Sequence, residues 1–169
     1  MRATDYPYCQ SPFTVLAHRG GAGMAINKGI ENTLAAFGHA VEVGCTYLET
    51  DVHATSDGVL VAFHDPILDR VTESGGVIAA MPWHKVKQAK VGGEPIPTLD
   101  EILDAFPDAF INIDIKHDGA TMPLIDVLSR HRAWSRVCVG SFSSKRIQTF
   151  RRLVQGRTAT AVGPVGVGW

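Results

Sequence analysis

Six short apolar runs, at 14–18, 46–53, 59–64, 110–116, 136–142 and 158–162, alternate with stretches of helical spacing, and that order restricts the fold more than any other feature of the chain. Each run is bounded by Gly, Asp, Ser or Pro, as strands are. Segments 32–43, 98–106, 121–131 and 143–153 carry apolar residues at helical intervals, several of them opened by an Asn, Thr or Ser able to cap a helix. Strand–helix alternation predicts a parallel sheet with helices outside it. With 169 residues, 45% of them apolar, the chain is long enough to bury one core, and a single domain over 1–169 is expected.

One connection differs. Asp57-Gly58 is a two-residue hairpin signal, so 59–64 is predicted to fold back antiparallel onto 46–54. In the register that sets Ser56 opposite Val59, His53 faces Ala62 and Asp51 faces His64, which delivers His64 beside Asp51. Residues 66–97 lack a clean period and are rich in Gly and Pro; they read as an insertion forming a lid or wall over one end of the sheet. Five strand–helix units remain, beginning at 14, 46, 110, 136 and 158, where a closed (β/α)8 barrel needs eight. The expected architecture is therefore α/β, a TIM barrel truncated after about five units.

A net charge of −1 and the absence of a Lys/Arg run disfavour nucleic acid and anionic membranes as partners. Cys9, Cys45 and Cys138 are odd in number and far apart, which predicts reduced thiols and a cytoplasmic setting. No apolar run approaches the length of a membrane span, and the first residues lack the apolar stretch of a signal peptide.

Candidate chemistry lies in strands that are polar on one face. In INIDIK, Ile111, Ile113 and Ile115 alternate with Asn112, Asp114 and Lys116; in LETDVH, Glu49, Asp51 and His53 share a face. A single edge strand would show such alternation merely by being wet on one side. Two such strands in a barrel would instead turn their isoleucines to the helices and their carboxylates to the axis. Glu49, Asp51 and Asp114 together make an oxygen-rich set suited to one divalent cation, Mg²⁺ or Ca²⁺. His18 and His64 each end an apolar run at the carboxyl end of a strand, where barrel active sites are built. Their unperturbed pKa near neutrality suits an acid/base pair, with Arg19 and Lys116 placed to neutralise a phosphoryl group. His39, His53, His84, His117 and His131 are read as structural or solvent residues, with His53 at the mouth of the site.

These residues resemble the glycerophosphodiester phosphodiesterase family: AHRG at 17–20, ENT at 31–33, ETDV at 49–52, TSDG at 55–58, FHD at 63–65, PTLDE at 97–101, DIK at 114–116 and GSF at 140–142, in the family's order. The resemblance implies a TIM barrel of the phospholipase C-like phosphodiesterase type with a small insertion after the second strand. It also implies one divalent metal and hydrolysis of small-molecule glycerophosphodiesters to glycerol 3-phosphate and an alcohol. It assigns His18 and His64 to catalysis, Glu49, Asp51 and Asp114 to the metal, and Arg19 and Lys116 to the substrate phosphate. Glu31 and Asn32 match the family's ENT, with Asn32 expected as a helix cap and Glu31 as an orienting partner of Arg19 or the metal shell. Two departures stand out: Asp114 where the family commonly has Glu, and a chain that stops before the family's last strands. The alternatives are a phospholipase of the sphingomyelinase D type, which would leave a cyclic phosphate, and an inactive remnant or interaction module.

Overall fold

The computed structural model describes residues 2–161. The last residue of the run at 158–162 and the GPVGVGW tail lie outside the described residues. In chain order the elements are β1 (Leu16–Ala17), α1 (Leu34–Glu42), β2 (Tyr47–Ala54), β3 (Leu60–Ala62), α2 (Trp83–Val86), β4 (Lys90–Val91), β5 (Glu94–Pro95), α3 (Leu99–Ala105), β6 (Phe110–Ile115), α4 (Thr121–Arg130), β7 (Val137–Gly140), α5 (Ser144–Val154) and β8 (Ala159–Thr160). Strands β1, β2, β6, β7 and β8 pair in that order, each parallel to the next, and β3 adds antiparallel to the end of β2. The result is an arc of parallel strands with its helices on one face, the truncated barrel expected from the alternation.

Period two along the strands decides what each face does. Leu48, Val52, Ile111, Ile113, Ile115, Val137 and Val139 are buried in one apolar cluster with Phe37, Leu99, Ile102, Leu124, Leu128, Ile147 and Phe150 of the helices. Burying an isoleucine such as Ile113 contributes about 1.5–3 kcal/mol, so the helix-facing side of β2, β6 and β7 carries much of the driving force for folding. The opposite faces of β2 and β6 are thereby left to polar side chains. At the other end of the strands, Tyr47 stacks on Phe110 with ring centroids 4.8 Å apart, and Tyr8 packs edge-on against both. The N-terminal segment thus covers the end of the sheet remote from the carboxylates.

Three expectations are corrected. The hairpin register is shifted by one residue: Val52 pairs with Ala62, His53 with Val61 and Ala54 with Leu60. Thr55 N–H donates to Val59 O, leaving Ser56, Asp57 and Gly58 as a three-residue loop. Local side-chain bonds favour this longer loop, because Thr55 Oγ1 donates to Asp57 Oδ1 and accepts from Val59 N–H, while Gly58 takes a φ of +84°. His64 is therefore not set opposite Asp51 by the strands; Phe63 N–H donates to Asp51 O instead.

Asn32 does not cap a helix. Thr33 caps α1 by accepting from Ala36 N–H, and Asn32 is freed for another task. Thr98 and Ser143 cap α3 and α5 as their types predict, Thr98 in a reciprocal box with Glu101.

The segment 66–97, expected as an insertion, carries regular elements of its own. Besides α2 and the β4–β5 pair, it buries Leu68, Ile78, Val86, Ala89, Val91 and Ile96 with Val61 and Phe63 in a second apolar cluster. Elements of two to four residues are too short to leave a period in the sequence.

Candidate active site

The HRG turn is built on three consecutive left-handed residues, Arg19 (φ +50°), Gly20 (φ +76°) and Gly21 (φ +79°). Gly20 is required twice over, since a Cβ there would stand 3.1 Å from Ala36 Cβ and 3.1 Å from Phe37 Cδ1 of α1. Arg19 has no such freedom, and its left-handed backbone is strain stored at the site. That conformation aims the Arg19 N–H at Glu49 Oε2, 2.8 Å away.

Asn27, which the sequence reading overlooked, holds the turn from behind. Fully buried, its Nδ2 donates to Gly20 O (3.0 Å), Gly21 O (3.2 Å) and Ala36 O (3.2 Å), and its Oδ1 accepts from His39 Nδ1 (2.7 Å). Asn27→Leu is expected to destabilise the chain by about 2–4 kcal/mol, because several buried polar groups lose their partner together. Urea unfolding measures it, and a change under 0.5 kcal/mol would contradict this role.

Strands β2 and β6 run in register with Asp51 beside Asp114 and Glu49 beside Asn112. Their polar faces open into a cleft of about 570 Å³ that is also lined by His18, Arg19, His64 and Lys116. All seven residues expected to act directly therefore meet at one place. Glu31 and Asn32 stand behind it. Asn32 Nδ2 donates to Asp51 Oδ2 (3.0 Å) and its Oδ1 accepts from Thr50 (2.9 Å), while Glu31 Oε1 accepts from Arg19 Nη1 (3.3 Å). Asn32 reaches Asp51 from a backbone φ of +59°, a conformation Asn tolerates better than most residues.

Charge is crowded in the cleft. Lys116 Nζ lies 2.9 Å from Asp51 Oδ1 and 2.6 Å from Asp114 Oδ2, and Arg19 Nε lies 3.6 Å from Asp51 Oδ2. Burial works against the Lys116 ammonium, but its hydrogen bonds to Asp114 and Asp51 outweigh that and hold its pKa above the ordinary value. Glu49 is less well compensated: burial first and the Asp51 carboxylate second push its pKa up to about 7, against the single hydrogen bond from Arg19 N–H.

Among the described residues, three buried side-chain atoms lack a hydrogen-bond partner: Arg19 Nε, Asn112 Oδ1 and Asp114 Oδ1. All three residues line this cleft. Orphaned polar atoms are costly and rare, so their concentration in one cleft marks it as shaped for a polar occupant.

As the side chains stand, no group of three His, Cys, Asp or Glu among the described residues is arranged to hold a metal ion. The Lys116 ammonium sits between Asp51 and Asp114 instead. The donor chemistry nonetheless suits a hard cation: three carboxylates, one with a buried oxygen that makes no hydrogen bond and one held toward protonation by burial and by the Asp51 charge. Seating a cation there requires Lys116 to withdraw from the carboxylates.

The two histidines differ in setting. His18 is 67% exposed at its side chain, and its Nε2 lies 3.9 Å from Glu49 Oε2. His64 Nδ1 donates to Asp65 Oδ1 at 2.6 Å, which leaves Nε2 as the basic nitrogen. Burial alone would raise the Asp65 pKa, but hydrogen bonds from Arg70 and His64 bring it below the usual carboxylate range. His53 is buried with Nε2 3.1 Å from His64 O, and burial lowers its pKa. Asp65 and Arg70 were missed as site residues; Asp65 directly follows His64, whereas nothing in the aperiodic segment around Arg70 singles it out.

Comparison with known proteins gives the family. Residues 18–160 match the model of the glycerophosphoryl diester phosphodiesterase family. The chain belongs to that family. It is 40% identical over 149 residues to a Mycobacterium tuberculosis protein named "Probable glycerophosphodiester phosphodiesterase 2", covering 88% of this chain and 55% of that relative. A glycerophosphodiester phosphodiesterase from Agrobacterium tumefaciens superposes with a TM-score of 0.75 at 27% identity, covering 85% of this chain and 64% of that one. An Oleispira antarctica phosphodiesterase in complex with the product sn-glycerol-3-phosphate superposes with a TM-score of 0.79 at 28% identity, covering 91% and 66%. The chain thus spans little more than half of the Mycobacterium relative. No helix among the described residues is long and apolar enough to cross a membrane.

Proposed function

We propose that the cleft hydrolyses glycerophosphodiesters to glycerol 3-phosphate and an alcohol, a reaction of lipid and glycerol metabolism. The observation that carries this reading is the gathering of Arg19 Nε, Asn112 Oδ1 and Asp114 Oδ1, all buried and without a hydrogen-bond partner, in the cleft that also holds two histidines and Lys116. Donors and acceptors left open together suit a ligand that brings both, as a phosphodiester with its cation does.

In this reading Arg19 and Lys116 take the phosphoryl oxygens, Lys116 exchanging its present carboxylate partners for the substrate. One of His18 and His64 takes a proton from the attacking oxygen, and the other gives one to the leaving alkoxide. Glu49, Asp51 and Asp114 would hold one divalent cation, Mg²⁺ or Ca²⁺. When bound, that ion supplies charge neutralisation to the phosphoryl group. Glu31 and Asn32 orient Arg19 and Asp51. The free thiols of Cys9, Cys45 and Cys138 suit a cytoplasmic location.

Phosphorus NMR of the chain with glycerophosphocholine and Mg²⁺ or Ca²⁺ tests the reading. Release of glycerol 3-phosphate that stops on adding chelator is expected. A cyclic phosphate product would favour the sphingomyelinase D type of reaction instead. Binding of the cation with no turnover would favour an interaction module.

A further inference from the structure

Arg70 belongs to the insertion and lies outside the cleft, yet its guanidinium joins the two sides of the site. Nη2 donates to Glu31 Oε1 at 2.5 Å, Nη1 to Glu31 Oε2 at 3.3 Å, and Nε donates to Asp65 Oδ2. Each of those carboxylates also holds a cleft residue, Asp65 through its other oxygen and Glu31 through the Oε1 it shares with Arg70. Glu31 Oε1 accepts from Arg19 Nη1 at 3.3 Å, and Asp65 Oδ1 accepts from His64 Nδ1 at 2.6 Å. The continuous chain of contacts is His64–Asp65–Arg70–Glu31–Arg19.

We propose that Arg70 is a positioning residue that fixes the tautomer and direction of His64 through Asp65 and the direction of the Arg19 guanidinium through Glu31. What those two residues then do rests on the function proposed above. The chemistry of the link selects arginine. A planar fork with five donors grips two carboxylates at once, whereas an ammonium on the same stem is a point charge without that geometry. Asp65 can only accept when ionised, so a fixed Asp65 keeps the proton of neutral His64 on Nδ1 and the lone pair on Nε2. Arg19 gains likewise, since Glu31 holds its Nη1 while its Nε, 3.6 Å from Asp51 Oδ2, makes no hydrogen bond in the cleft. With its side chain 44% exposed, Arg70 contributes little to folding through these ion pairs. Its substitution therefore disturbs the site rather than the fold.

The test uses the whole chain as wild type, Arg70→Met and Arg70→Lys, labelled for nitrogen NMR. In the wild type the neutral His64 ring is expected to be protonated at Nδ1 alone, and the Arg19 Nε–H resonance to be narrow. Arg70→Met is expected to give a mixture of His64 tautomers and a broadened Arg19 resonance at an unchanged melting temperature, with Arg70→Lys intermediate. In parallel, Arg70→Met is expected to lower kcat for glycerophosphocholine by about 10- to 100-fold, the scale on which slight misplacement of reacting groups acts. A His64 tautomer and an Arg19 signal that both survive in Arg70→Met would overturn the proposal. If the wild type turns over no glycerophosphodiester, the functional reading fails, while the two NMR signals still decide the role of Arg70.

Discussion

His18→Ala is expected to lower kcat for glycerophosphocholine by about 10²–10⁴-fold, the usual contribution of a positioned proton-transfer group. The melting temperature should hardly move. His18 is 67% exposed at its side chain, and its charge contact with Glu49 is a long 3.9 Å, so truncation removes little packing and no short hydrogen bond. KM should change less than kcat, because phosphate binding is assigned to Arg19 and Lys116, and a group that acts mainly in the transition state is felt mainly in kcat. Steady-state kinetics and a thermal melt on one preparation separate the outcomes. A variant that keeps its kcat excludes His18 from proton transfer, and one that loses kcat together with its fold assigns the residue a structural role.

What was legible in the sequence was whatever leaves a period or a contiguous motif. Ile111, Ile113 and Ile115 announced which face of β6 meets the helices, and Glu49, Asp51 and Asp114 were correctly placed on the opposite face. The hairpin was legible as a hairpin, but its register was not, because it turned on Thr55 bonding locally to Asp57 and Val59 rather than on the Asp57-Gly58 pair. Asn32 illustrates a related ambiguity. Asn and Thr are both good caps, and only the three-dimensional turn reveals that Thr33 takes the cap while Asn32, left-handed, reaches back to Asp51. Arg70 was invisible for another reason, since Glu31 lies 39 positions from it, and Asn27 because its bonds to Gly20, Gly21, Ala36 and His39 follow no helical or strand period. Long-range polar contacts leave no periodic trace in a single chain.

Glu49→Gln is expected to stabilise the metal-free chain at pH 8 by about 3 kcal/mol, from a raised carboxyl pKa converted at about 1.4 kcal/mol per unit. Glu49 is buried, and burial with the neighbouring Asp51 charge pushes its pKa up to about 7 from an ordinary 4.5. Between those two values the folded chain holds a proton that the unfolded chain has released. The contribution is therefore fully present below pH 4.5 and lost as pH rises toward 7. Glutamine stays neutral at every pH and still offers an oxygen to the Arg19 N–H, so the slope due to Glu49 should vanish. His53 titrates in the opposite sense, its lowered pKa making stability rise with pH, and taking the difference between wild-type and Glu49→Gln curves removes that background. Urea unfolding from pH 4 to pH 8 reads the difference directly. A divalent cation binding the carboxylates should reverse the order at pH 8, because a ligand held only by the folded chain stabilises it by mass action. Mg²⁺ or Ca²⁺ would then raise the wild-type midpoint and leave Glu49→Gln nearly unmoved. Superimposable pH curves would show that Glu49 carries no repulsion, and an unresponsive wild type would remove the cation from the proposed chemistry.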